Sequence, residues 1–327
     1  MKTLLCIRGD YQTNPAGDTT LVMQTAKYLR RKGIEITINY GQFSDYSDYD
    51  MVHLFNLTRI SETYEYFWKA KSQKKPVVIT PIYWDLSDFY RRSKNADALC
   101  QWEAYAPCRQ EILNGCDAIY PASNAEKELI KQEYGASLHQ TIVYSGIDLS
   151  ELPDKIPTET KWGSYILCAA RVCPRKNQLA LARATYRLGV RLILVGSANN
   201  QDYLSRCLAY GNVLYQGFQP FQKLLPLYKN ALLHVLCGFV ETPGLANLEA
   251  AACGCNILST AEGSAAEYFE DMALYCDPYE EMDILAKVEA GLSENQQPRL
   301  KAHVLKNFCL NRCMEPLSLS YRSLQNN

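Results

Sequence analysis

The sequence predicts an α/β protein made of two consecutive doubly wound halves, each built on a parallel sheet. Three observations support this prediction. The chain has 327 residues, and one domain typically takes about 100 to 200. Short apolar runs alternate with amphipathic stretches, which is the pattern of βα units. The pattern stops at 151–162, a polar stretch with two prolines that is typical of a linker, and then starts again.

The pattern of the first half predicts five strands and one further apolar segment. A loop follows the first strand, and an amphipathic helix over 19–32 comes next, with Gly33 at its end. Glycine is favoured where a helix terminates. The strands and the closing segment are expected at 4–8, 34–40, 51–57, 76–80, 117–123 and 141–148.

The second half predicts six strands with helices between them. We expect one domain over 1–155 and another over 156–306. In doubly wound folds ligands bind outside the carboxyl ends of the strands, so we expect the site in a cleft that faces both sheets. The six strands are expected at 164–170, 191–198, 212–218, 231–237, 255–260 and 273–276.

Composition and charge exclude several classes of protein. The chain has 34 basic and 35 acidic residues, a formal net charge of -1, so it is no polycation and we expect no nucleic-acid partner. The same balance does not support peripheral membrane contact, although that contact stays possible. The apolar runs are too short for a membrane span. The apolar run near the first residue is also short and is interrupted early by charged residues, so we expect no signal peptide.

The 13 cysteines include no CxxC pair, and no histidine joins them at zinc-site spacing. We therefore expect a cytoplasmic protein with reduced cysteines and no metal.

The most informative segment is 241–260. It begins with a loop that contains Glu241 and Gly244 and continues as a helix that carries Glu249. A loop that leads into a helix presents free backbone N–H groups and the positive end of the helix dipole, which suit a phosphate or a sugar hydroxyl. We therefore expect the two glutamates to flank a ligand at the start of this helix.

The same segment resembles the signature of the family 4, or group 1, retaining glycosyltransferases. The resemblance implies the GT-B fold, in which two Rossmann-like domains face each other across a cleft and a final helix, here 307–327, crosses back to the first domain. It also implies that the first domain binds the acceptor and the second the nucleotide-sugar donor. The matching residues are Glu241, Gly244, Leu245, Glu249 and, after the helix, Gly254.

A second match follows the strand at 164–170, where Arg171 and Lys176 stand five positions apart. The resemblance implies that these cations hold the diphosphate, and two cations at a strand end can neutralise it without a metal. It further implies that Glu249 binds the ribose, and that Glu241 and the backbone near Gly244 and Leu245 hold the sugar. Arg171, Lys176 and Glu241 are the predicted catalytic residues.

Weaker matches concern the nucleotide and the loop after the first strand. The resemblance implies that Gly196 lies near the nucleotide and that the backbone at Gly217 and Phe218 meets the base. Gly17 resembles part of a glycine-rich loop that approaches the donor sugar. Many relatives have a second glycine there, and this chain has Ala16.

The acceptor contacts of the first half are less well defined. Asp18 follows Gly17, and His53 lies near the end of the third strand. Trp84 and Asp85 occupy the position after the fourth strand, where relatives often carry His-Asp. An aromatic ring there could stack on a sugar, and the carboxylate could bind a hydroxyl or accept its proton.

The resemblance implies transfer of a hexosyl group, with retention, from a nucleotide diphosphate sugar carrying UDP or GDP to a glycan, lipid-linked or small-molecule hydroxyl. Two alternatives stay open: a nucleotide-sugar epimerase of the same fold, and a protein that binds a nucleotide sugar without turnover. A dinucleotide-dependent oxidoreductase is disfavoured because no GxGxxG follows the first strand.

Overall fold

A computed structural model describes residues 1–135, 140–158, 162–293 and 297–325. The chain divides into two compact units, of which the first is Met1–Ser145 with Leu310–Asn327 and the second is Gly146–Cys309. The units therefore part before the polar stretch at 151–162, and residues 159–161 of that stretch lie outside the described ranges. This boundary lies before the expected one at residue 155. Ile147 donates its backbone N–H to the carbonyl of Phe308 at 2.8 Å, and this bond links Ile147 to the second unit.

The first unit contains a five-stranded parallel sheet in the order β2-β1-β3-β4-β5. The strand order reverses between β1 and β3. The segment expected at 141–148 forms no strand but runs beside β5, with Thr141 N–H bonded to the Ile119 carbonyl at 3.0 Å. The strands are β1 (Lys2–Cys6), β2 (Glu35–Asn39), β3 (Met51–Phe55), β4 (Val77–Thr80) and β5 (Ala118–Ile119).

Six helices connect these strands or follow them. The first begins at Gly17 and buries Leu21, Val22 and Leu29 on one face, as its periodicity predicts. The helices are α1 (Gly17–Arg31), α2 (Ile60–Ser72), α3 (Ser87–Arg92), α4 (Ala96–Ala104), α5 (Ala106–Gly115) and α6 (Asn124–Tyr134).

The second unit contains a six-stranded parallel sheet in the order β11-β10-β9-β6-β7-β8. Counted within the unit, this is the Rossmann order 3-2-1-4-5-6. The order reverses between β6 and β9. The strands are β6 (Tyr165–Ala169), β7 (Arg191–Val195), β8 (Val213–Tyr215), β9 (Leu233–Leu236), β10 (Ile257–Thr260) and β11 (Leu274–Cys276).

The helices of the second unit alternate with its strands. Short 3₁₀ turns at Leu149–Glu151, Pro174–Lys176 and Glu270–Met272 add to them. The helices are α7 (Gln178–Arg187), α8 (Gln201–Leu208), α9 (Phe221–Asn230), α10 (Leu245–Ala252), α11 (Ala265–Phe269), α12 (Glu281–Ser293) and α13 (Pro298–Asn307).

The last helix, α14 (Leu310–Gln325), belongs to the first unit. Leu310, Met314, Leu317 and Tyr321 enter the apolar core of that unit. The sequence predicted one helix from residue 307, and the structure instead separates α13 from α14 at Phe308 and Cys309. Among the described residues, no helix combines the length and the apolar character that a membrane crossing requires.

Candidate functional site

The candidate site lies at the carboxyl edge of the second unit's sheet, where the strand order reverses between β6 and β9. At such a point the loops after the two strands leave in opposite directions, which opens a crevice. The loop after β6 and the loop after β9 nevertheless touch at their bases. Phe239 donates its N–H to the Arg175 carbonyl at 3.0 Å, and a Cβ at Gly238 would lie 3.1 Å from that same oxygen.

Lys176 and Glu241 meet at this edge as a two-pronged ion pair. The Lys176 Nζ lies 2.6 Å from Oε1 and 2.7 Å from Oε2 of Glu241. Their side chains are 17 % and 3 % exposed. The fold therefore brings together two of the predicted catalytic side chains, one from each loop.

The backbone of Glu241 is fixed by the loop after β10. Glu241 donates its N–H to the Glu262 carbonyl at 3.2 Å and accepts from the Ser264 N–H at 3.0 Å. Gly263 lies between these partners with φ +116°, and a Cβ there would lie 2.1 Å from the Glu241 carbonyl oxygen. Only glycine fits this close approach.

Gly244 forms the N-cap of α10, and Leu245 is its first residue. Gly244 has φ +85°, and a Cβ there would lie 2.9 Å from Leu236 Cδ1. The glycine thus lets the loop turn sharply over the end of β9. A Cβ at Gly244 would also lie 3.5 Å from Glu241 Oε2, so the start of α10 lies beside this carboxylate.

Glu249 lies one turn into α10. The Tyr228 hydroxyl donates to its Oε2 at 2.7 Å. Burial raises the pKa of Glu249 to about 7, against the lowering effect of that hydrogen bond. The sequence analysis did not identify Tyr228. Its position in α9, shortly before β9, is the feature of the sequence that could have indicated it.

The predicted nucleotide residues gather at the ends of the neighbouring strands β7 and β8. Gly196 has φ +143°, and a Cβ there would lie 2.1 Å from the Ala170 carbonyl oxygen. Gly196 also donates its N–H to the Gly217 carbonyl at 2.9 Å. Phe218 is 56 % exposed. Gly196 therefore sets the distance between the end of β7 and the backbone beside Arg171. Gly217 lies next to Gly196.

The edge of the first sheet, where β1 and β3 separate, holds a different arrangement. Arg8 is buried and binds both carboxylate oxygens of Asp18, at 2.8 and 3.0 Å, and it binds Asp10 at 2.6 Å. Asn56 donates to Asp18 at 3.2 Å. Asp18, expected at the acceptor, is thus held by Arg8, a residue that sequence reasoning missed although it is the last residue of the strand expected at 4–8.

Gly17 stays a predicted contact of the donor sugar. It is the first residue of α1, with no positive φ, and a Cβ there would meet nothing within 4 Å. Its place requires no close approach within the chain.

Two acceptor candidates of the first unit have structural partners instead. His53 is 0 % exposed, and its ring nitrogens lie 2.5 Å from the Tyr321 hydroxyl and 2.9 Å from Thr80 Oγ1. Burial lowers its pKa to about 3. It is a core histidine with no surface for a substrate, because its ring packs against the rings of Phe55, Tyr120 and Tyr321.

Asp85 accepts from Trp102 Nε1 at 3.0 Å and from the Ser87 N–H at 2.9 Å. These bonds hold it at the start of α3, and its role as a base stays a prediction. Trp84, its neighbour, is half-buried. Within the described ranges, no three His, Cys, Asp or Glu side chains form a group that could hold a metal ion.

Comparison with known proteins identifies a family model, a curated protein and solved structures that are similar to this chain. Residues 154–304 match the family model described as glycosyl transferases group 1. Over 145 residues, the chain is 30% identical to O-antigen chain mannosyltransferase B of Escherichia coli, an alignment that covers 41% of this chain and 38% of that protein.

Solved structures share the fold over nearly the full length. Sucrose-phosphate synthase of Thermosynechococcus elongatus superposes with a TM-score of 0.82 at 15% identity, covering 100% of this chain and 99% of that one. Anabaena HepE in complex with UDP and glucose gives 0.74 at 15% identity, covering 99% and 100%. Residues 154–304 therefore match a group 1 glycosyltransferase domain, and the chain shares the GT-B fold of these structures.

Proposed function

We propose that this enzyme transfers a hexosyl group from a nucleoside diphosphate sugar to a hydroxyl, with retention at the anomeric carbon and without a metal. The observation that carries the proposal is the Lys176–Glu241 pair at the β6/β9 reversal, beside Gly244 at the start of α10. Cations and oriented N–H groups at one point suit a diphosphate whose negative charge grows as the glycosidic bond breaks.

We assign each residue of the proposed donor site a ligand contact that fits its position. Arg171 and Lys176 bind the diphosphate, and Glu241 with the backbone at Gly244 holds the sugar. Glu249 has one carboxylate oxygen bonded to Tyr228, and its other oxygen receives a ribose hydroxyl. The departing phosphate oxygen takes the proton of the acceptor hydroxyl on the same face, so no carboxylate acts as nucleophile.

The donor and the acceptor are proposed at the level of their chemistry. The similar structure of HepE holds UDP and glucose, and the similar O-antigen enzyme is a mannosyltransferase; both support a UDP- or GDP-hexose. The acceptor is a glycan, a lipid-linked or a small-molecule hydroxyl that meets the first unit. The 13 free cysteines fit a reducing cytoplasm.

A thermal-shift series with UDP, GDP and their hexose conjugates tests donor binding. A ligand at about 100 times its Kd adds about 2.7 kcal/mol to the unfolding free energy. Release of free nucleoside diphosphate in the presence of an acceptor then separates a transferase from a binding protein, and formation of an isomeric sugar nucleotide would identify an epimerase. If neither nucleotide shifts the transition, the proposal is wrong.

The diphosphate assignment is tested by Arg171→Ala and Lys176→Ala, each expected to lower kcat/KM by more than about tenfold, or 1.4 kcal/mol. Arg175→Ala removes the same charge from the same loop and is the matched control. An equal loss in all three variants would show a general effect of loop charge instead.

A further inference from the structure

A chain of buried polar side chains runs beneath the candidate site of the second unit. It contains His234 of β9, Asn247 of α10 and Ser259 of β10, each 0 % exposed. Buried polar groups are costly unless they are fully hydrogen-bonded, so such a chain fixes one arrangement of the elements that it joins.

The contacts define the direction of every bond in this chain. The Ala169 N–H, at the end of β6, donates to His234 Nε2 at 3.2 Å. Nε2 is therefore the unprotonated nitrogen, and Nδ1 donates to Asn247 Oδ1 at 2.8 Å. The Asn247 Nδ2 then donates to Ser259 Oγ at 3.1 Å. One imidazole thus joins β6 to α10, and one amide joins α10 to β10.

The same histidine supports the partner of Glu249. The Tyr228 ring meets the His234 ring edge to face, with centroids 5.3 Å apart, and the Tyr228 hydroxyl binds Glu249. Burial lowers the pKa of His234 to about 4, so the ring is neutral at pH 7. The hydrogen bond agrees with this, because a ring nitrogen can accept from a backbone N–H only when it carries no proton.

We propose that His234 and Asn247 are positioning residues for the donor site. They hold the first turn of α10 against β6 and β10, and so fix the places of Glu249, of the free N–H groups of α10 and of the Arg171 loop that leaves β6. This inference rests on the proposed function for the ligand, a nucleoside diphosphate, but the arrangement of the side chains is independent of it.

The arrangement is tested without any ligand. Nitrogen-15 NMR of the imidazoles at pH 7 is expected to show His234 with a proton on Nδ1 only. In His234→Phe and Asn247→Leu, the backbone amides of Leu248 and Glu249 are expected to exchange with solvent faster than in the wild type. A proton on Nε2, or unchanged exchange in both variants, would overturn the proposal.

The functional consequence is tested by the Kd of UDP and GDP. His234→Phe and Asn247→Leu are each expected to raise the Kd of the nucleotide that binds the wild type roughly tenfold or more. Ser259→Ala is the milder variant if these two fold poorly, and it is expected to raise the same Kd.

The control is Thr185→Val in α7, a fully buried residue whose hydroxyl donates to the Leu181 carbonyl at 3.0 Å. It is expected to lower Tm and leave the Kd unchanged. If the wild type binds and Asn247→Leu binds equally well, the positioning role is refuted and the proposed function stands. If the wild type binds neither nucleotide, the proposed function fails, and the exchange experiment still decides whether His234 and Asn247 fix α10.

Discussion

Lys176 and Glu241 are the best-defined pair at the scale of single residues. Their side chains are almost buried, so each charge depends on the other for compensation. Breaking such a pair by removing one partner is costly, whereas removing both leaves no uncompensated charge. The pair therefore stabilises the site only as a unit.

A double-mutant cycle checks this coupling. Lys176→Ala leaves Glu241 without its cation and is expected to lower the unfolding free energy by about 3 kcal/mol. The double variant Lys176→Ala/Glu241→Ala is expected to cost less than the sum of the two single changes, because neither charge is left alone. Urea titration measures all four proteins; strictly additive costs would contradict the coupling.

Glu126 of α6 is a buried carboxylate that faces backbone donors. It is 1 % exposed and accepts at 2.6 Å from the N–H groups of Tyr83 and Ala122. Burial raises its pKa to about 7, and the two hydrogen bonds only partly oppose this. A raised pKa in an acid means that the folded state holds the proton more tightly than the unfolded state does.

The sign of the pH dependence follows. The stabilising contribution of Glu126 is present below the unfolded pKa, about 4.5, and is lost as pH rises through about 7. Between pH 5 and pH 8 the wild type is therefore expected to lose about 2 kcal/mol more unfolding free energy than Glu126→Gln. Urea titrations at both pH values measure this difference, and parallel pH profiles would refute it.

At the scale of elements, glycines set the spacing of the loops around the donor site. Gly196 ends β7 against the Ala170 carbonyl, so a methyl group there has no room. The loop that carries Arg171 would have to move. This contact couples the geometry of one strand end to that of its neighbour.

Gly196→Ala is expected to destabilise the second unit by more than about 1 kcal/mol and to weaken nucleoside diphosphate binding. Gly211→Ala, where a Cβ meets nothing within 4 Å, is the control and is expected to alter neither. Calorimetric titration with UDP and GDP, together with thermal melts, makes the comparison. Wild-type affinity in Gly196→Ala would show that the loop spacing is unimportant.

The element pattern was largely predictable from the sequence, but strand ends were not. Alternating apolar runs identified all eleven strands of the described part of the chain. The run at 117–123 nevertheless yields only Ala118–Ile119, because Pro121 cannot donate to a ladder. The apolar segment at 141–148 is no strand at all. Apolar character marks a buried segment, whereas a strand also needs a neighbour to bond with, and that partner is far away in the sequence.

At the scale of the whole molecule, the first unit is completed by the last helix of the chain. Met314, Leu317 and Tyr321 of α14 are at most 1 % exposed within its core. Truncation after Cys309 is expected to destabilise the first unit by several kcal/mol, since it uncovers this surface and leaves His53 without the Tyr321 hydroxyl. Thermal melts and dye binding to exposed apolar surface measure the loss; an unchanged transition would contradict this packing.

The second unit is continuous in the chain and has its own sheet and core. The segment 146–309 alone is therefore expected to fold cooperatively and to bind UDP or GDP, since Arg171, Lys176, Glu241 and Glu249 lie within it. The full-length chain is the reference in the same calorimetric titration. A folded segment that binds neither nucleotide, beside a full chain that does, would show that the first unit supplies donor contacts.

The sequence by itself determined the α/β class and the two parallel sheets, because alternation and glycines are local properties. The spacing of Glu241 and Glu249 is also local, and from it the sequence predicts a donor site. Only the tertiary structure decided which polar side chains pair. It joined Lys176 to Glu241 across 65 positions, and it buried His53 in the core. It also linked His234 to Asn247. A hydrogen bond needs two groups within about 3 Å, and when those groups are distant in the sequence, only the folded chain brings them together.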